Sequence, residues 1–110
     1  MTTYFHSSAD RARKPLLPGI VTRTFWGEKM LLSLVDLDAQ AAIPLHSHPH
    51  EQVGMALLGE LDLTIAGETR HVIPGDIYIV PGGVEHGLTV GDAPAQVIEA
   101  FSPVREEYKY

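Results

Sequence analysis

Residues 45–59 read LHSHPHEQVGMALLG, where His46, His48 and His50 run directly into Glu51 and Gln52 in a chain with six histidines. Imidazole, carboxylate and amide are donor groups that hold divalent ions such as Zn, Ni, Mn or Fe. In an extended strand the side chains at i and i+2 share a face, about 7 Å apart along the chain, so His46 and His48 can converge on one ion. Pro49 cannot continue a central ladder, and the chain is expected to bend there. Counting even positions through the bend places His50 and Gln52 with the first pair and Glu51 against it. A bend can also reset that count, which leaves Glu51 and Gln52 both open as a further ligand. His50, beyond the proline, reads as a rim residue.

A second group lies near the C-terminus, where residues 97–105 read VIEAFSPVR. Val97, Glu99 and Phe101 share one strand face. A glutamate on such an apolar strand costs free energy unless it is hydrated, paired or employed. Arg105 offers a planar fork suited to a carboxylate. Alternation does not say which face is inward, so Glu99 facing solvent and Arg105 pairing with Glu106 or Glu107 are the competing readings. His71, in TRHVI, is most simply an exposed strand residue, and Trp26 and Tyr78 read as packing residues.

The elements that must position these groups read as strands. Prolines at 15, 18, 44, 49, 74, 81, 94 and 103 punctuate the chain, with glycines among them. The longest uninterrupted run, Glu28 to Ile43, has the Leu, Met and Ala content of a helix. Its loose alternation favours a strand through about Asp38, with Leu31, Ser33, Val35 and Leu37 on one face. Ile20 to Trp26 is rich in β-branched and aromatic residues. Leu61 to Ile65 alternates, Ala66-Gly67-Glu68 supplies a hairpin turn, and Thr69 to Ile73 returns. Ile77–Val80, His86–Val90 and Ala95–Phe101 complete eight or nine short strands. The expected fold is all-β, an antiparallel jelly-roll barrel in one domain. An N-terminal arm over 1–17 and a tail over 104–110 flank a barrel over 18–103.

Bulk properties narrow the function. The chain has 110 residues, no cysteine and a formal charge of −6. The absence of cysteine excludes disulfides, thiolate metal sites and a cysteine nucleophile. The acidic balance argues against nucleic acid as a partner, because neutralising phosphates needs a cationic excess. MTTYFHSSADRARK carries no apolar signal region, and no apolar run approaches a membrane span, so a cytoplasmic protein without a membrane partner is expected.

HSHPHEQVGMALLG resembles the first motif of the cupin family, G-x5-H-x-H-x3-4-E-x6-G. GDIYIVPGGVEH, from Gly75 to His86, resembles the second, G-x5-P-x-G-x2-H. His46 and His48 take the histidine positions of the first motif and Gly59 its last glycine. Counting back from Gly59 places Gln52 where the family usually has glutamate. Gln40 stands at the leading glycine position, and Val90 where an asparagine often closes the second motif. The resemblance implies a small, commonly dimeric β-barrel with a divalent metal held by His46, His48, Gln52 and His86. Glu99, Phe101 and Arg105 further resemble the acidic, aromatic and arginine positions of KdgF-type cupins of pectin and alginate breakdown, although an aspartate is expected at the acidic one. That group opens the ring of 4,5-unsaturated uronates to a linear 5-keto-4-deoxy sugar acid.

A neutral amide in place of a carboxylate leaves more of the ion's charge uncancelled, which favours Lewis-acid work over redox chemistry. The leading expectation is therefore a metal-dependent, ring-opening enzyme acting on a small anionic, sugar-acid-like substrate, and working as a homodimer. Glu99 would relay a proton, Arg105 would hold the substrate carboxylate, and Phe101 would wall the pocket. A binding or sensing module using the same pocket, and a cupin dioxygenase, are the alternatives.

Overall fold

The computed structural model describes residues 3–110. Ten strands follow in order: β1 (Lys14–Leu17), β2 (Ile20–Trp26), β3 (Leu31–Leu37), β4 (Ala42–His46), β5 (Glu51–Leu58), β6 (Leu61–Ile65), β7 (Glu68–Val72), β8 (Ile77–Val80), β9 (His86–Val90) and β10 (Ala95–Ser102). They form an antiparallel six-stranded sheet, β1-β2-β3-β10-β5-β8, and a four-stranded sheet, β4-β9-β6-β7. The two sheets make a jelly roll whose hydrogen bonding is not continuous around the barrel. Among the described residues no helix is long and apolar enough to cross a membrane.

Alternation decides which residues fill the space between the sheets. On β3, Leu31, Ser33, Val35 and Leu37 are buried, while Leu32 on the opposite face is exposed. The helix-like composition of this run yields to pairing with β2 on one side and β10 on the other. Ile20, Val35, Leu37, Leu61, Val80 and Val97 join the main core. A smaller cluster of Leu31, Phe101 and Val104 closes one end, with Trp26 and Tyr108 packed on it. The β6–β7 hairpin turns through Ala66 and Gly67, whose φ values of 51° and 80° suit a tight two-residue turn.

The termini take more part in the domain than an arm and a tail suggest. The sheet begins at Lys14, inside the expected arm, because β1 pairs with β2 along Lys14–Leu17. Four residues holding a proline gave little strand signal, yet an edge strand tolerates Pro15. In the tail, Val104 is buried, and Thr24 Oγ1 donates to the Tyr108 carbonyl at 2.5 Å. That bond fixes the short 3-10 turn Glu106–Tyr108 over the end of the barrel.

Candidate metal centre

His46 ends β4 and His86 begins β9, and the two residues are directly paired across those strands. His48 follows in the bend after β4, and Gln52 points inward from β5 of the opposite sheet. The ring centroids of His46 and His86 are 4.3 Å apart, and those of His48 and His86 4.8 Å. One ring nitrogen from each histidine lies within 4.8 Å of the others.

The hydrogen bonds fix which nitrogen that is. His46 Nδ1 lies 2.8 Å from the Pro44 carbonyl, His48 Nδ1 3.0 Å from that of His50, and His86 Nδ1 2.9 Å from that of Val84. A carbonyl only accepts, so each Nδ1 carries the proton and each Nε2 presents a lone pair. Such backbone bonds are what orient a metal-bound imidazole.

Gln52 supplies the decisive detail. Its Nε2 donates to Glu99 Oε2 at 2.5 Å, which turns its Oε1 toward His48 Nε2 at 3.0 Å. Two acceptors thus face each other, and His86 Nε2 is buried with no partner. Adding a proton to His48 would settle only one of these conflicts. Burial opposes it first, and the nearby charges of Arg105 and His86 add to that, so the His48 imidazole is held below the usual histidine range. Burial does the same to His86, aided by His46 and Arg105. A divalent cation satisfies the whole set, so the donors present fit such an ion.

The centre opens on a cavity of about 320 Å³. Gln52, Glu99, Phe101 and Arg105 line it together with His46 and His86. Glu99 is partly open to this cavity, and its Oε2 accepts from Tyr78 OH at 2.7 Å as well as from Gln52. Burial pushes the Glu99 carboxyl above the usual carboxylate range, against the pull of those two donors and Arg105. The Arg105 guanidinium stacks 4.0 Å over the Tyr108 ring and 5.3 Å from that of Phe101. Its Nε donates to Glu107 at 2.9 Å. Arg105 thus makes the ion pair with Glu107 and also lines the cavity.

The structure brings together His46, His48, Gln52, His86, Glu99, Phe101 and Arg105. Glu51 is exposed and turned away, and His50 serves the centre only through its carbonyl. His71 is exposed on β7, paired with Glu60 and Asp62. Sequence reasoning gave Tyr78 no part near Glu99 and did not single out Tyr108. The inward position of Tyr78 on the alternating β8 was the signal for the first.

Residues 33–101 match the family model of the cupin domain. A pectin degradation protein, KdgF of Dickeya dadantii, is 26% identical over 84 residues, 76% of each chain. The HTH-type transcriptional regulator PuuR of Escherichia coli is 33% identical over 57 residues, 51% of this chain and 31% of the regulator. The structure of KdgF from a Halomonas species superposes with a TM-score of 0.89 at 27% identity, covering 96% of this chain and 98% of that one.

Proposed function

We propose, for a chain that belongs to the cupin family, a metal-dependent isomerase that opens the ring of a small unsaturated sugar acid. The observation that carries this reading is one cavity in which unprotonated Nε2 atoms and the Gln52 Oε1 face inward beside an acid and an arginine. His46, His48, His86 and Gln52 would hold the divalent ion, which when bound supplies Lewis-acid polarisation of a substrate oxygen.

The chemistry asked of the protein is a proton transfer. In a 4,5-unsaturated uronate the C1–O5 bond breaks, the C1 hydroxyl loses its proton to leave an aldehyde, and C4 gains one as the C5 enol becomes a ketone. The product is an isomer, so no oxidant or co-reactant is needed. Glu99, with its pKa raised, suits a group that both takes and returns a proton. Arg105 presents a guanidinium to the substrate carboxylate, held rigid by two aromatic rings. Phe101 walls the pocket.

Incubation with 4,5-unsaturated galacturonate tests this directly, by following loss of the enol-ether absorbance. Turnover that disappears with chelator, and with Glu99→Gln at unchanged metal content, is expected. Full turnover by Glu99→Gln would overturn the role given to that residue. The partial likeness to PuuR favours a second reading, a sensing module, which predicts tight uronate binding without any absorbance change.

The outward face of the six-stranded sheet supports a homodimer. Leu32, Val53, Ile77 and Ile79 are exposed there, with Val53 paired to Ile79 and Met55 to Ile77. An apolar face spanning β3, β10, β5 and β8 without a charge at its centre exceeds what isolated surface residues produce. A second copy across a two-fold axis would match apolar surface to apolar surface. Sedimentation should show a dimer that Ile79→Lys converts to monomer, and a monomeric parent protein would overturn it.

A further inference from the structure

Three inward-facing positions form one row across the large sheet: Tyr78 on β8 is opposite Gly54 on β5, and Gly54 is opposite Glu99 on β10. Adjacent strands lie about 4.8 Å apart, so Tyr78 and Glu99 start roughly 10 Å from each other with residue 54 between them. Gly54 has no positive φ and is not needed for a left-handed backbone. It is needed for space: a Cβ there would overlap the Tyr78 ring and its hydroxyl. Because that volume is empty, the phenol lies across the strand and its OH reaches Glu99 Oε2 at 2.7 Å.

The same oxygen accepts from Gln52 Nε2. With Oε2 doubly occupied, Oε1 is the oxygen of this cavity-lining residue that takes no hydrogen bond among the described residues. Tyr78 is buried and does not line this cavity, so its effect on a molecule bound there runs through Glu99. We propose that Tyr78 is a positioning residue, given clearance by Gly54, which pins Glu99 Oε2 so that Oε1 is aimed at the substrate. The role rests on the reading of Glu99 as the proton relay.

The test uses metal-loaded protein and 4,5-unsaturated galacturonate. Tyr78→Phe keeps the ring over Gly54 and removes only the donor. It is expected to retain wild-type metal content and a KM within about twofold while kcat falls about 10- to 100-fold, the scale of a misaimed reacting group. A crystal structure of this variant should show the Glu99 carboxylate rotated off Oε2's present position, a readout independent of activity. Gly54→Ala should lower kcat in the same way by displacing the ring. If that variant does not fold, Tyr78→Phe decides alone. Glu99→Gln separates the two ideas. If it is fully active, the relay reading fails and this inference with it. If it is inactive while Tyr78→Phe shows wild-type kcat and an unmoved Glu99, only the positioning role is overturned.

Discussion

Replacing His86 by leucine should have opposite consequences with and without metal. In the metal-free protein His86 Nε2 is buried and unpartnered, an arrangement that costs about 1–3 kcal/mol. Leucine removes that cost and also removes the Nδ1 bond to the Val84 carbonyl, worth about 0.5–1.5 kcal/mol. The stripped variant should therefore match the stripped wild type or exceed it by about 1 kcal/mol. With a divalent ion at a hundred times its Kd, the wild type should gain about 2.7 kcal/mol. For a domain of this size that is a rise of about 10 °C in Tm. His86→Leu should show little of it. The assay is thermal melting after chelation, then with Zn, Ni, Mn or Fe(II) added separately. If no ion raises the wild-type Tm, or the variant rises equally, the assignment of converging lone pairs to a metal centre is refuted.

Gly59 has φ 71° and a Cβ there would strike the Pro94 carbonyl oxygen and Ala95, so Gly59→Ala should cost more than about 1–2 kcal/mol in urea denaturation. Thr22 Oγ1 and Ser33 Oγ form a buried bond of 2.5 Å. Ser33→Ala should therefore cost about 1–3 kcal/mol, and adding Thr22→Val should recover most of it. Glu60 first, and Asp62 second, hold the exposed His71 imidazole above the usual histidine range. Its contribution is present below the unfolded pKa of about 6.5 and lost as pH rises through the folded value, so NMR titration should place His71 above that reference and Glu60→Gln should bring it down.

Much of this was legible because a strand reads in steps of two. The alternation in LLSLVDL sorted β3 into its two faces, and the same count through HSHPHEQ grouped Gln52 with His46 and His48, a grouping that stands because the bend at Pro49 did not reset the phase. What alternation cannot supply is the sign of a face. Glu99 was therefore open between cavity and solvent until the side of β10 carrying Val97 and Phe101 was seen to be buried, with Val97 in one core with Leu61, Leu63 and Leu88 of the four-stranded sheet. Lys14–Leu17 was hidden for a different reason: four residues with a proline hold too little pattern, and pairing with β2 makes the strand. The Tyr78–Glu99 bond joins residues 21 apart through a missing side chain, and a glycine in a strand does not announce whose ring will fill its space.

The departure from the family's usual glutamate at position 52 then has a local cause. Glu99 Oε2 stands 2.5 Å from the Gln52 amide nitrogen. A carboxylate in its place would set two negative oxygens against each other, a repulsion of roughly 7 kcal/mol between unit charges at an effective dielectric of 20, unless one took up a proton. An amide avoids this because its two ends differ: the oxygen faces His48 and the ion the imidazoles can hold, while the N–H group donates to the acid. The amide therefore joins a cation site to a carboxylate without either losing its partner. Of the neutral side chains, only Asn and Gln carry an acceptor and a two-proton donor on one rigid plane, and Gln alone has the reach of the glutamate it replaces.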